Sequence, residues 1–542
     1  MYPEAYVSIL GFLFLITTLA TIIIISLTGF IFAFFIPLIV ILLGYVVPQV
    51  MAHDRAQKLD LEVPFAGTYI SVMATGGMSP YASLKRLKEC ALLPNVSKSI
   101  NNVEIDVEIR GVDPVSAMEN SAKSLPSKDY KELMLGYAST MRTGGDVIHY
   151  LFVRTETMFK DLAAKVKSFG ERANLLMETY VTISILLTLM LTVMYMTSLS
   201  LESYWSGSTD VGIFLIYGYF LVPFMAVLFF FIADSQQISQ PLNDWKTYKA
   251  FFACIPIFAF LLLVMFLPFA ASESNLFFAE PFKALISGLR QAVGLERGYE
   301  AGLGMGISLL FASIIGTIAH SYYTRMNKDI TEQVSNFMRD LTEARKTGSS
   351  PERCIENLAG RKYGRFTPIL ETASRQIRWG LPFKVIYETF KVKINSWLAL
   401  INIFLLVDAV EVGGGTPETL ETLAHFSEEL SSIEKERKST QRPLLFMPYL
   451  GVGILIFSTL VFLAFSRSIL SSYSNQSIPF SQVVTLLLPT LMVQIFFMGL
   501  VTGKLSGGKV SNGFKHSLIL ISLGLLFTPL ARYLTLPFIG GG

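Results

Sequence analysis

Met73–Leu87 reads MATGGMSPYASLKRL, and Ala344–Leu358 reads ARKTGSSPERCIENL. In each stretch a helix-forming run meets a glycine (Gly77, Gly348), a serine follows two residues later (Ser79, Ser350), and a proline comes next (Pro80, Pro351). Glycine takes the left-handed exit from a helix without a β-carbon penalty. The serine hydroxyl accepts from the orphan amides of the next helix, and proline has no amide to lose at its first position. Helix stop, cap and restart is therefore written twice, at a step of 271 positions (348 − 77), half of the 542-residue chain. The chain is an internal duplication.

Apolar residues around both turns keep helical spacing. Val63, Phe65, Ile70, Met73 and Ala74 precede the first turn, with Leu84 and Leu87 after it; Phe337, Leu341 and Ala344 precede the second, with Ile355 and Leu358 after it. Further along, Gly144 and Gly145 match Gly414 and Gly415 (414 − 144 = 270), each pair ending an apolar helix before one of mixed polarity. The pattern predicts two small helical bundles, each with several antiparallel helices.

Composition places the rest of the chain in lipid. Hydrophobic residues make up 52%, charged residues 16%, and the mean hydropathy is +0.51, against about 25% charge in an ordinary soluble domain. A crossing helix needs about 20 apolar residues. The stretches that qualify or come close are Val7–Leu27, Ile31–Val47, Leu175–Leu199, Ile213–Ala233, Ala250–Ala270, Leu303–His320, Leu444–Phe465, Phe480–Val501 and Leu518–Phe538. The expected fold is an all-α polytopic membrane protein of about nine transmembrane helices, with two homologous cytoplasmic bundles in parallel tandem repeat. Its parts run as a membrane hairpin (1–50), a first bundle (51–174) and three spans (175–271). An external loop with an amphipathic interfacial helix (272–301) leads to one span (302–322), a second bundle (323–443) and three last spans (444–542). Met1–Tyr6 carries no base and no small-residue cleavage site follows, so the first apolar run reads as retained rather than as a signal peptide.

Charge sets the expected orientation. The two polar regions, His53–Arg172 and Tyr323–Arg442, hold 34 of the 44 basic residues. Short loops are the better witnesses: Gln236–Lys249 carries Lys246 and Lys249, and Gly503–His516 carries Lys504, Lys509 and Lys515, whereas Leu201–Asp210 has Glu202 and Asp210 with no base. Both bundles and the amino terminus are expected in the cytoplasm and the carboxyl terminus outside. Asn475, with Gln476 and Ser477, forms a glycan-acceptor pattern on that outer side.

These residues carry a resemblance. Duplicated Gly-x-Ser-Pro turns, later Gly-Gly turns and bundles set between hydrophobic spans resemble the F-domain family of type II secretion and type IV pilus systems. The two fused copies are most similar to the archaeal members, the core membrane protein of the archaellum and of archaeal pili. The resemblance implies a platform that binds a hexameric secretion or motor ATPase and passes its cycle to assembly of pilin-like or archaellin-like subunits. It leaves a homodimer open.

Other function classes find little in the chain. Cys90, Cys254 and Cys354 are far apart, and His53, His149, His320, His425 and His516 show no metal spacing. Gly499, Gly503 and Lys504 fall one residue short of a phosphate loop, and Gly302, Gly304 and Gly306 lack a preceding strand. No catalysis and no cofactor are expected. Both glycine groups read as close helix packing in the membrane. The rival reading is a polytopic transporter with cytoplasmic regulatory domains, since some transporters are parallel repeats. Against it, Glu178 and Asp234 lie at span ends and Arg532 in the outer third of its span, leaving no ionisable group at a span centre. With a net charge of only +3 the positive footprint of a nucleic-acid binder is missing.

Arg361–Lys393 is the most lopsided charged segment. Arg361, Lys362, Arg365, Arg375, Arg378, Lys384, Lys391 and Lys393 face only Glu371 and Glu388; the first bundle offers Lys85, Arg86 and Lys88. These are the candidate ATPase-docking residues, by charge complementarity. A solvated or headgroup-facing helix is the plainer alternative.

Overall fold

The protein is described here by a computed structural model covering residues 18, 35–201, 217–237, 248–249, 252, 255–270, 279–325, 329–413, 415–472 and 480–532. Side chains are described from residue 55 onward in the first long helix. The expected span Val7–Leu27 apart from Thr18, and also Gly414 and Asn475, lie outside the described residues.

Every regular element among the described residues is helical. The first copy contains α1 (Phe35–Thr75), α2 (Pro80–Leu87), α3 (Pro94–Glu108), α4 (Pro114–Ser124), α5 (Lys128–Thr143) and α6 (Val147–Leu201). Then come α7 (Val222–Gln236), α8 (Ile255–Met265) and α9 (Glu280–Val293). The second copy contains α10 (Tyr299–Arg325), α11 (Ile330–Lys346), α12 (Pro351–Leu358), α13 (Thr367–Arg378), α14 (Phe383–Lys393), α15 (Trp397–Gly413) and α16 (Pro417–Gln441). It ends with α17 (Phe446–Ser472), α18 (Phe480–Gly507) and α19 (Gly513–Phe527).

Six described stretches are long and apolar enough to cross a bilayer: Val147–Met194, Gly218–Gln236, Tyr299–Thr324, Pro417–Ser468, Phe480–Gly507 and Val510–Ala531. Each contains or overlaps one of the apolar runs read from the sequence, and the run at Ala250–Ala270 forms the shorter apolar helix Ile255–Phe269. The protein is an all-α polytopic membrane protein. The segment before α10 forms α9, with Ile286 buried, Leu285, Leu289 and Val293 exposed, and Arg290 paired with Glu300 at 3.2 Å.

The twin turns have the same geometry. Gly77 and Gly348 sit at φ +85° and +87°. Ser79 accepts from the Ala82 amide at 3.3 Å, Ser350 from the Arg353 amide at 3.4 Å, and Pro80 and Pro351 open the next helices. At the later turns the left-handed glycines are Gly144 (φ +71°) and Gly415 (φ +57°), again 271 apart (415 − 144).

A buried carboxylate starts α3. Pro94 has no amide, so the first amides of that helix are those of Asn95 and Val96; both donate to Glu62 Oε2, at 2.8 and 2.9 Å, and Asn95 Nδ2 donates to Oε1 at 2.6 Å. Glu62 is wholly buried in α1, and burial raises its carboxyl above the ordinary value against the pull of these donors. At the same place in the second copy (333 − 62 = 271) Gln333 accepts from the Phe366 amide at 3.0 Å, at the start of α13.

Close packing in the membrane consumes the glycines that resembled nucleotide motifs. A β-carbon on Gly503 would lie 2.0 Å from Gly513 Cα, and one on Gly499 would lie 2.4 Å from the Ser517 backbone, so α18 and α19 touch along their main chains. Gly304 of α10 meets the Met265 carbonyl of α8 in the same way, while Gly302 and Gly306 receive Leu488 and Leu525. Both copies also carry a local irregularity at matching positions of one membrane helix. A π-turn spans Tyr217–Leu221, and Pro489, 270 positions after Tyr219 (489 − 219), sits inside α18.

Each bundle is tied directly to the membrane. Helix α6 is one 55-residue helix, about 80 Å long at 1.5 Å per residue. Its counterpart is divided: α16 ends at Gln441, and a 3₁₀ turn at Pro443–Leu445 precedes α17.

Candidate docking surface and inter-lobe cleft

The basic segment of the second bundle folds as α13, a turn and α14. Arg375 and Arg378 fall in the last turn of α13, where their charge suits the helix dipole. Both are exposed, and neither has an ion-pair partner among the described residues. Trp379 follows at 75% exposure, and Leu381, Val385 and Val392 are also exposed. The first bundle presents Ile109 at 78% exposure at the corresponding helix end (379 − 109 = 270). Large apolar groups are thus displayed beside bases at this end of the bundle.

The remaining candidates divide between roles inside the fold and open surface. Arg361 pairs with Asp340 at 2.8 Å, and Lys391 with Glu388 at 3.4 Å. Lys393 donates to Thr372 Oγ1 at 3.2 Å, Lys362 is exposed, and Arg365 is half-buried. In the first bundle, Lys85 pairs with Glu108 at 2.5 Å, Lys88 pairs with Glu104, and Arg86 leaves its own bundle altogether.

Arg86 reaches Asp408 of the second bundle, its Nε lying 2.8 and 3.0 Å from the two carboxylate oxygens and Nη2 2.7 Å from Oδ1. Tyr69 donates its hydroxyl to the same carboxylate. The hydrogen bond to Asp408 holds the Arg86 guanidinium above its ordinary range, and burial, then the Asp408 charge, raises the Tyr69 phenol. Nearby, Trp397 donates its indole N–H to the Leu92 carbonyl at 2.9 Å and meets Phe65 edge-on at 4.8 Å; Lys384 lies 3.6 Å from Glu89. These contacts border a cleft of about 140 Å³ lined by Arg86, Cys90, Lys384, Tyr387, Asp408 and Glu411. Burial pushes the Cys90 thiol up to about 12, so it is protonated and inert at neutral pH.

The clasp joins the lobes unequally. Asp408 stands where the first copy has Ala138 (408 − 270), Arg86 where the second has Asn357 (357 − 86 = 271), and Tyr69 where it has Asp340 (340 − 69 = 271). A signal for it is present in the sequence. The run Trp397–Val410 is apolar apart from Asn402 and Asp408, too short to span and too apolar for a helix with a wet face. A lone acid in such a helix requires a partner. In the structure α15 lies between its own bundle and the first one, and both bundles share one apolar core. Among the described residues no group of three or more His, Cys, Asp or Glu is placed to hold a metal.

Comparison with known proteins agrees with this duplicated plan. An uncharacterized protein of Methanocaldococcus jannaschii is 20% identical over 506 residues, covering 90% of this chain and 82% of its own length. No solved structure matches the chain. The family model for type II secretion system (T2SS), protein F matches residues 68–195 and again 337–464. Each match begins in the helix before the Gly-x-Ser-Pro turn and ends in the first membrane helix after the bundle. The chain is therefore built on two tandem domains of the type II secretion system protein F family.

Proposed function

We propose that this protein is the membrane platform of an archaellum, type IV pilus or type II secretion-like machine. It docks a hexameric cytoplasmic ATPase on its bundles and transmits the nucleotide cycle to assembly of pilin-like or archaellin-like subunits at its spans. The observation that carries the proposal is the pairing of two F-family domains with helices that run from each bundle toward the bilayer. A platform must receive force on one side and deliver it on the other, and α6 provides such a link. The family is one of secretion- and pilus-type assembly platforms, which supports this reading over transport.

The docking face in this proposal is the end of α13 and the turn into α14. Arg375, Arg378 and Lys384 supply positive charge for an acidic partner, and Trp379 supplies an apolar anchor. Reversing Arg375, Arg378 and Lys384 to Glu together is expected to weaken capture of the purified ATPase at least tenfold with the fold intact. Because Lys384 also faces Glu89, the Arg375→Glu, Arg378→Glu pair is measured separately. Unchanged binding in both variants removes the docking assignment. Cysteine labelling of intact cells tests the cytoplasmic placement: labelling of either bundle from outside overturns it.

A further inference from the structure

Three contacts join residues that occupy the same position in the two copies. Gly170 meets Thr440, Val181 meets Gly451, and Asp234 meets Lys504, each pair 270 apart. The first two bring α6 against α16 and α17, and the third brings α7 against α18. When a residue touches its own counterpart, the two units are related by a two-fold axis through that contact. The membrane-proximal parts of the repeats thus face each other as the halves of a dimer do.

None of the three pairs is made of like residues. A β-carbon on Gly170 would sit 2.1 Å from Thr440 Cγ2, so the threonine fills the space that glycine leaves; a β-carbon on Gly451 would sit 2.4 Å from Val181 Cγ1, with knob and hole exchanged between the copies. At the third, Lys504 is 9% exposed and holds Asp234 at 2.5 Å while donating to the Gly508 carbonyl at 3.3 Å.

We infer that the interface between the repeats is built to accept only the opposite repeat, so that each chain completes its own two-fold contact and does not share it with a second copy. Two first repeats joined on this axis would set valine on valine, glycine on glycine and aspartate on aspartate. Two second repeats would set threonine on threonine, glycine on glycine and lysine on lysine. Each self-pairing carries one clash, one void and one like-charge contact, the repulsive elements that specificity requires. The inter-lobe clasp points the same way, since Tyr69, Arg86 and Asp408 are matched only between first and second bundle.

The test uses the full chain in membranes, with the wild type as reference. A Val181→Cys, Gly451→Cys variant is expected to form, on oxidation, a disulfide within one chain, seen as a mobility shift at monomer mass. Val181→Cys alone is expected to give no dimer. A dimer from the single variant, a dimer in place of the internal link, or no link at all overturns the inference. A second measurement exchanges knob and hole. Gly170→Thr is expected to lower the melting temperature in detergent, and adding Thr440→Gly to recover most of that loss. A double variant no more stable than the single also overturns it.

Discussion

Replacing Glu62 separates two costs that usually travel together, the loss of hydrogen bonds and the loss of a buried charge. Glu62→Ala leaves the amides of Asn95 and Val96 and the Asn95 side chain without their acceptor, where Glu62 and Val96 are buried and Asn95 is half-buried. An unsatisfied buried donor costs about 1–3 kcal/mol; with some relaxation of the α3 start, about 3 kcal/mol is expected for the three together. Glu62→Gln keeps one carbonyl oxygen and drops the charge, the arrangement that Gln333 already has in the second copy. Its expected cost is about 1 kcal/mol or less.

The pH dependence gives the sign. Burial raises the folded-state pKa of Glu62 above that of the unfolded chain, so between the two values the native state holds more protons and stability falls as pH rises. Melting curves of the solubilised protein from about pH 5 to pH 8 should therefore show the deficit of Glu62→Gln against wild type shrinking as pH rises. Glu62→Ala should stay the least stable throughout. If Gln and Ala are equally damaging, or the deficit of Gln grows with pH, the account of Glu62 as a helix-start acceptor held against desolvation is wrong.

Removing Arg86 by an Arg86→Met change should cost about 3 kcal/mol, because it strands the nearly buried Asp408 with only Tyr69. The double variant with Asp408→Leu should recover part of that loss in a thermal double-mutant cycle, and strict additivity would refute the clasp. Gly77→Ala and Gly348→Ala meet no atom within 4 Å and pay only for a left-handed backbone, about 1–2 kcal/mol each. Gly503→Ala pushes directly on the Gly513 backbone and should disrupt folding more than either turn variant, measured as the yield of monodisperse protein. Asp60, like Glu62, has a carboxyl raised by burial. Asp60→Asn should therefore flatten part of the remaining fall in stability with rising pH, and an unchanged slope would exclude its contribution.

What the sequence makes legible is what depends on local chemistry. Gly77, Ser79 and Pro80 each do something their neighbours cannot, so the turn and its repeat stand out of one unaligned chain. The spans are legible because lipid imposes a length, and the glycines of α10 and α18 because close membrane packing needs small residues. The rest depends on distant partners. Lys85, Arg86 and Lys88 read as one basic cluster, yet their acids come from α3 and, 322 positions away, from α15. Glu62 looks like an ordinary polar residue of an amphipathic helix until α3 is placed over it. The apolar character of α15 is a readable signal, but only the first bundle explains why that helix has no wet face. The axial pairs are invisible until two positions 270 apart are found to touch.

The two links from bundle to bilayer differ mechanically. Helix α6 is continuous from Val147 to Leu201, with no joint between bundle and span. The second link has a joint at Pro443, where the ring removes a backbone donor and the chain tightens into a 3₁₀ turn before resuming. In the proposed function, equal pushes on the twin lobes would therefore enter the membrane unequally, the jointed link absorbing part of one. Faster amide exchange around Leu444–Phe446 than at the matching stretch of α6 would register that compliance.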